Sequence, residues 1–196
     1  MGRRLQMKTP KKKIKNNIMK YLKYRSRMQN GDVIAFQGSD AGAKLICRST
    51  KSIYSHVGLV VRIKDVSINR VFIAESVVPS GVSLVSLRRK IENYPGRAWW
   101  FSLNIGGDAK RKRKFIYKWA MSELGKRYDF ELIKYIAKNV LFKSAIPEAT
   151  KEQYICSEYV ATAFDEAHLL PKDISLNLTP EQIAKLPILG EFKEII

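Results

Sequence analysis

The sequence predicts a single domain that contains both strands and helices, with the strands concentrated in its first half. Short runs rich in β-branched and aromatic residues recur between residues 33 and 103, and turn signals separate them. From residue 108 onwards, helix start and stop signals bracket apolar residues at helical spacing. With 196 residues, 45% of them hydrophobic, the chain is long enough to bury one core.

The predicted strands are short and are bounded by turns. Pro79-Ser80-Gly81 is the clearest of these turns, because proline and glycine punctuate strands. A further strand at 191–196 is predicted to close the domain. The other strands are predicted at 33–36, 55–63, 70–76, 82–87 and 99–103.

The predicted helices carry recognisable ends. Asp108 is expected to cap a helix that Gly125 terminates. Its apolar stripe is predicted to consist of Phe115, Trp119 and Leu124. Thr179 and Pro180 form another helix start, as the cap and the first helical position. The longer segments are predicted as helices at 43–49, 108–124, 129–142 and 156–169, with a polar connection at 145–153.

Positive charge is concentrated at the N-terminus. The net charge is +18, and residues 1–28 contain eleven lysines or arginines and no acid. We therefore set apart a basic extension at 1–29, disordered over 1–13 and helical over 14–28, from a domain at 30–196. Such charge attracts phosphate groups, whether in nucleic acid or on an anionic membrane surface, and the alternative is a solvated, solubilising tail.

The composition also indicates the cellular compartment in which the protein is expected. The chain has no apolar run of the ~18–20 residues that a membrane span needs, and its start lacks the apolar core of a secretory signal. Two cysteines are too few for a disulfide framework and suit a reducing compartment. These features predict a cytoplasmic protein, peripheral at membranes if it meets them, without a signal peptide or transmembrane segment.

One histidine and one cysteine lie where a thiol hydrolase needs them. Cys156 opens a helix, where the helix dipole and free N–H groups lower a thiol pKa and can hold an oxyanion. His56 lies in an apolar strand, and Gly58 leaves the same strand face open for a substrate or for the helix of Cys156. The alternative is a buried structural cysteine and an ordinary core histidine.

Two further side chains are candidates for the same site. Glu75 ends an apolar strand, where it can orient the imidazole of His56 or remain a surface carboxylate. Tyr128 can donate a hydrogen bond to an oxyanion or simply pack, and Gln153 is a weaker candidate donor. No close-spaced metal ligands and no phosphate-binding glycine motif occur, so no metal or cofactor is predicted.

Seven short runs stand out in this order along the chain: Gly31-Asp32-Val33-Ile34-Ala35-Phe36, Ser55-His56-Val57-Gly58-Leu59-Val60, Ile73-Ala74-Glu75, Gly81-Val82, Leu124-Gly125-Lys126-Arg127-Tyr128-Asp129, Tyr154-Ile155-Cys156-Ser157-Glu158 and Leu178-Thr179-Pro180. Taken together, they resemble the circularly permuted NlpC-type papain-like cysteine hydrolases, the YiiX-like group. The resemblance covers residues 30–196. It implies a permuted papain-like α+β fold, in which a small antiparallel sheet or half-barrel packs against helices.

The resemblance also implies a chemistry. Cys156 matches the nucleophile, His56 the general base, Glu75 the orienting acid and Tyr128 an aromatic of the site. The implied activity is that of a cysteine-dependent hydrolase or acyltransferase, which acts on an amide or ester bond of a lipid or lipid-like N-acyl substrate through a thioester.

Other functions remain open at this stage. Relatives of the group cleave cell-wall peptides, which makes a peptidoglycan-type peptidase or amidase the main alternative, although the missing export signal counts against it. A non-catalytic basic module that binds lipid or membrane is a second alternative, based on residues 1–28 and the apolar stretch 130–142. Nucleic-acid binding is not expected, because only the charge suggests it and no recognition motif is present.

Overall fold

The computed structural model describes residues 11–130 and 153–196. The predicted helix at 129–142 and the polar connection at 145–153 lie almost entirely outside the described residues, as does segment 1–10. In chain order the elements are α1 (Lys11–Arg25), β1 (Val33–Gln37), α2 (Ala41–Ser49), β2 (His56–Asp65), β3 (Ile68–Val77), β4 (Gly81–Ser86), α3 (Leu87–Asn93), β5 (Arg97–Leu103), α4 (Ala109–Ser122), β6 (Arg127–Tyr128), β7 (Gln153–Tyr154), α5 (Cys156–Glu166), α6 (Pro180–Ala184) and β8 (Leu189–Glu194).

The fold is of the α+β class, with an antiparallel sheet packed against helices. Six strands pair in the order β4-β3-β2-β1-β5-β8, and each neighbouring pair is antiparallel. The five strands predicted between residues 33 and 103 are confirmed, with ends that differ by at most two residues. The closing strand is also present, as β8 at the β5 edge. A separate two-stranded parallel pair, β6 with β7, was not predicted.

Alternating side chains give the sheet two buried faces. In β1, Val33 and Ala35 belong to one apolar core, while Ile34 and Phe36 belong to the other. Helices α4, α5 and α6 supply the first core, and α1 and α3 supply the second. Because both faces are covered, the central strands are apolar almost throughout.

The described part of the basic N-terminal segment packs on the domain. Tyr21 of α1 and Met28, in the turn that follows, are 1% and 0% exposed and share a core with Trp100. The expectation of disorder over 1–13 is wrong for residues 11–13, where α1 has already begun. No helix among residues 11–130 and 153–196 has the length and apolar character needed to cross a membrane.

The apolar stripe of α4 differs from the prediction. The helix buries Ile116 and Ala120, whereas Phe115 is 41% exposed. Packing of α4 against α5 turns Ile116 and Ala120 inwards, and Trp119 remains only partly buried. Asp108 lies at the N-cap without a side-chain capping bond and instead pairs with Arg111.

A buried carboxylate ties the first strand to its neighbours. Asp32 is 0% exposed, and its oxygens accept hydrogen bonds from four donors. The donors are the Gln29 N–H at 2.9 Å, the Trp100 Nε1–H at 2.8 Å, the Leu103 N–H at 3.0 Å and Arg113 Nη1 at 2.8 Å. A buried charge is tolerated only when it is paired in this way, so Asp32 locks β1, β5 and α4 together.

Gly81 allows β4 to meet the segment that carries β6. Its φ is +67°, and a Cβ atom added there would lie 2.0 Å from the Lys126 carbonyl oxygen. The same contact is secured by hydrogen bonds from Val82 N–H to Lys126 oxygen and from Gly125 N–H to Val82 oxygen, at 2.8 and 2.9 Å. Only glycine meets both demands, the left-handed backbone and the close approach.

We expect Gly81→Ala to lower the free energy of unfolding by about 1–3 kcal/mol, since it combines left-handed strain with a backbone clash. Gly106→Ala is the matched control, because a Cβ there meets nothing within 4 Å. Urea unfolding followed by circular dichroism measures both variants. Equal stability of the two would contradict the role given to Gly81.

Candidate active site

His56 and Glu75 meet on the face of the sheet that α3 covers. His56 begins β2, Glu75 lies near the end of β3, and the two strands are paired. The imidazole Nε2 lies 2.6 Å from Glu75 Oε2. Lys90 of α3 binds the other carboxylate oxygen. Glu75, whose side chain is 2% exposed, is therefore held between two cationic groups.

The ionisation of Glu75 follows from these partners. Burial raises the pKa of the Glu75 carboxyl, but the charges and hydrogen bonds of His56 and Lys90 hold that pKa below its ordinary value. The acid therefore remains a carboxylate at neutral pH and can orient the imidazole, as expected from the sequence. Lys90 was not anticipated, because nothing in its local pattern distinguishes it from the other basic residues of α3.

Cys156 reaches the same histidine from the first turn of α5. The thiol lies close to the His56 ring and to backbone groups of Val57 and Ser157, all of which act on its pKa. Because Glu75 occupies Nε2 of the ring, Nδ1 is the ring nitrogen that remains available to the thiol. The structure thus brings together all three residues that the sequence singled out, although Cys156 lies a hundred positions from His56 in the chain.

The thiol and the imidazole shift each other's pKa. Burial raises the pKa of the Cys156 thiol, but the charge and hydrogen bond of His56, with the backbone hydrogen bonds, lower it below its ordinary value. Burial lowers the pKa of the His56 imidazole, but Cys156 and Glu75 raise it to about 9. Both shifts favour the thiolate–imidazolium form of the pair over the neutral form.

The space beside Gly58 is occupied by Ile73 of the neighbouring strand, and not by a substrate or α5 as expected. A Cβ atom at Gly58 would lie 2.8 Å from both Cδ1 and Cγ1 of Ile73 and 3.0 Å from the Ala74 carbonyl oxygen. The neighbouring strand therefore fills this space, and neither a substrate nor α5 enters it. The prediction of an open strand face beside His56 is wrong, because an isoleucine on the paired strand occupies it.

Tyr128 is brought next to Cys156 by the short β6–β7 pair. β7 leads directly into α5, and β6 carries Tyr128. Burial raises the pKa of the Tyr128 hydroxyl, and the nearby charges of Cys156 and Asp129 raise it further. The hydroxyl therefore stays protonated and can donate a hydrogen bond.

The segment before Cys156 is anchored to the strand of the acid. Ser76 follows Glu75, and its hydroxyl donates a 2.6 Å hydrogen bond to the Tyr154 carbonyl oxygen. Gln153 pairs with Arg127 in the β6–β7 ladder and is not among the residues that line the cavity at Cys156.

Glu158 is a buried acid in the first turn of α5 that the sequence analysis did not single out. It is 0% exposed, and its Oε2 accepts a 3.3 Å hydrogen bond from the Ile155 N–H, while Oε1 has no partner among the described residues. Burial raises the pKa of Glu158 to about 7, although the Ile155 hydrogen bond lowers it in part and Asp129 raises it. The glutamate three positions after the N-cap was the available signal, since this is the capping-box position.

A cavity of ≈ 230 Å³ opens beside the thiol. Its walls come from α2, from β6 and the start of α5, and from the segment that begins α6. That last segment is held by the predicted cap, in which Thr179 Oγ1 accepts a 3.2 Å hydrogen bond from the Gln182 N–H. The lining residues are Ile46, Ser49, Thr50, Ser55, Tyr128, Ile155, Cys156, Ser157, Asn177, Leu178, Thr179 and Pro180.

We expect Glu75→Gln to lower the pKa of His56 from about 9 by about one unit, because the neutral amide no longer favours the imidazolium. NMR titration of the imidazole resonances, assigned with His56→Gln, measures the change. Glu92→Gln is the control, since Glu92 pairs with Arg88 instead. An unchanged midpoint in Glu75→Gln would show that the carboxylate does not act on the ring.

Comparison with known proteins supports the fold. No model of a protein family matches the sequence, and no curated protein sequence matches it. Among solved structures, the crystal structure of the metalloprotein YiiX from Escherichia coli O157:H7 is similar, with a TM-score of 0.57 and 22% sequence identity over 80% of this chain and 79% of that chain. The likeness to the YiiX fold inferred from the sequence is therefore confirmed at the level of the fold.

The neighbouring protein is described as a metalloprotein. Residues 11–130 and 153–196 of this chain contain no group of three or more histidine, cysteine, aspartate or glutamate side chains placed to hold a metal ion. The described residues therefore do not fit such a centre, and no step proposed below uses a metal.

Proposed function

We propose that the chain is a thiol-dependent hydrolase or acyltransferase that forms a thioester with its substrate. The observation that carries the proposal is the Cys156–His56–Glu75 chain at the start of a helix, in which the thiol pKa is lowered and the imidazole pKa is raised. A lone structural cysteine needs no such partners, and Cys47 shows the contrast, because burial raises its thiol pKa.

In the first step, the Cys156 thiolate attacks the carbonyl carbon of an amide or ester. The carbonyl oxygen becomes an oxyanion, which backbone N–H groups at the start of α5 and the Tyr128 hydroxyl are available to stabilise. The His56 imidazolium then gives its proton to the leaving amine or alcohol. The carbon–heteroatom bond breaks, and the acyl group remains on sulfur as a thioester.

In the second step, neutral His56 takes a proton from water or from another acceptor. The activated oxygen or nitrogen attacks the thioester, and the Cys156 thiolate leaves as the proton restores the imidazolium. Glu75 keeps the ring oriented in both steps through its bond to Nε2.

The cavity favours an acyl group of lipid-like character. Ile46, Ile155, Leu178 and Pro180 give its wall apolar surface next to the sulfur. Asn177 lines the same cavity, and its buried Oδ1 has no hydrogen-bond partner among the described residues. An amide N–H of an N-acyl substrate would satisfy that acceptor.

The order of the site residues agrees with the papain-like interpretation. His56 and Glu75 precede Cys156 in this chain, which is the order of the circularly permuted NlpC-type hydrolases. We therefore include the permuted papain-like fold in the proposal. We also propose a cytoplasmic site of action, peripheral at membranes, because both cysteines are free thiols and residues 1–28 are strongly basic.

We expect Cys156→Ala to lower turnover of acyl substrates by about a thousandfold or more, because no other nucleophile replaces the thiolate. A panel of nitrophenyl acyl esters and N-acyl amides of increasing chain length, combined with intact-protein mass spectrometry, measures turnover and acyl-enzyme together. Cys47→Ala is the control and should retain both.

A mass increase equal to the acyl group, present in Cys47→Ala and absent from Cys156→Ala, supports the thioester. Turnover by Cys156→Ala that equals that of the wild type would rule the proposal out, provided that circular dichroism shows both proteins folded.

A further inference from the structure

A basic groove runs along the side of α2 that faces away from the catalytic cavity. It consists of two adjoining depressions of ≈ 490 and ≈ 530 Å³, which share Lys13, Gly96 and Arg97 in their walls. α2 contributes Lys44, Cys47 and Arg48 to the groove, and it contributes Ile46, Ser49 and Thr50 to the cavity beside Cys156. One helix therefore separates the two sites.

Cationic side chains predominate in the lining of the groove. Its lining includes five cationic side chains and no carboxylate side chain; the cations are Lys13, Lys20, Lys44, Arg48 and Arg97. Glu194 pairs with Lys20 at 3.1 Å and with Arg97 at 2.6 Å. Within the described part of the chain, Lys44 and Arg48 have no ion-pair partner. This leaves uncompensated donors on the α2 wall.

A buried donor lies in the same groove. Asn17 of α1 is only 6% exposed and lines the second depression. Its Nδ2 has no hydrogen-bond partner among the described residues. Asn17 shares this depression with the cations Lys13, Lys20 and Arg97, and Lys44 and Arg48 line the adjoining depression. Buried polar groups are nearly always bonded, so an unsatisfied amide in a basic groove indicates a ligand that accepts hydrogen bonds.

We propose that this groove binds a phosphate group. A phosphate offers several acceptor oxygens and a negative charge, which match the lysines, the arginines and the amide of Asn17. The site goes beyond the proposed thiol chemistry, because none of its side chains touches Cys156. A phosphate held there lies one helix away from the catalytic cavity, so a phosphate-bearing lipid and a free phosphate are both suitable sources.

The test compares two double variants that remove the same charge. Lys44→Ala with Arg48→Ala removes the α2 wall of the groove, whereas Lys110→Ala with Lys114→Ala removes two exposed cations of α4. Binding of inorganic phosphate is measured by isothermal titration calorimetry. Binding to phosphatidylcholine vesicles, with and without phosphatidic acid, is measured by sedimentation. Cys156→Ala is measured in the same assays, because its phosphate binding does not depend on the proposed thiol chemistry.

We expect the groove variant to bind phosphate about tenfold more weakly or worse, because two charge-assisted contacts are lost. The α4 variant and Cys156→Ala should bind like the wild type. Asn17→Asp, which replaces the donor with a carboxylate, should weaken binding as well. Vesicle binding that needs phosphatidic acid and that inorganic phosphate competes away identifies a lipid headgroup, whereas binding of soluble phosphate alone identifies a free ligand.

Two results would overturn the proposal. The first is that the wild type binds neither inorganic phosphate nor acidic vesicles. The second is that both double variants lose the same affinity, because the net charge of the protein and not the groove would then attract the anion. A single-stranded oligonucleotide that binds and is weakened equally by both variants would be assigned to that second case.

Discussion

The chemistry of the site depends on a single buried carboxylate. Glu75 lies between the His56 imidazole from the neighbouring strand and the Lys90 ammonium from α3, so its charge is compensated on both sides. Removal of one partner from a buried ion pair typically costs about 3–5 kcal/mol, because the remaining charge stays desolvated. The β2–β3 register and the position of α3 on the sheet are therefore coupled to the protonation of His56. A substitution of Lys90 would therefore change the pKa of His56 through Glu75, although Glu75 lies between the two side chains.

Cys156 approaches this pair from the other side of the sheet. Helix α5 packs in the core opposite to the one that holds α3, and its first residue, Cys156, reaches His56. Two contacts set this approach. The Ser76 hydroxyl donates a hydrogen bond to the Tyr154 carbonyl oxygen, and β7 pairs in parallel with β6, which carries Tyr128. The site thus lies at one end of the sheet, where the two layers of helices meet, and both layers must be in place to assemble it.

Much of this arrangement follows from local patterns. Alternation and turn residues predicted the strands, and the helix start at Cys156 with a histidine in a strand predicted the thiol pair. What local patterns do not encode is which surfaces meet. Lys90 has no distinguishing neighbours, Ile73 fills the space at Gly58 because of the strand pairing, and α4 buries Ile116 where Phe115 was expected because of its packing against α5. Each of these depends on contacts between segments that are distant in the chain.

The pH dependence of Cys156 alkylation tests the central claim most directly. In a Cys47→Ala background, iodoacetamide should modify Cys156 with a midpoint well below the ~8.5 of an ordinary thiol. The added variant His56→Ala should shift that midpoint to the ordinary value or above it, because burial then acts on the thiol without a compensating cation. Equal midpoints with and without His56, or an unreactive Cys156 in the folded protein, would contradict a thiolate–imidazolium pair and the thioester chemistry built on it.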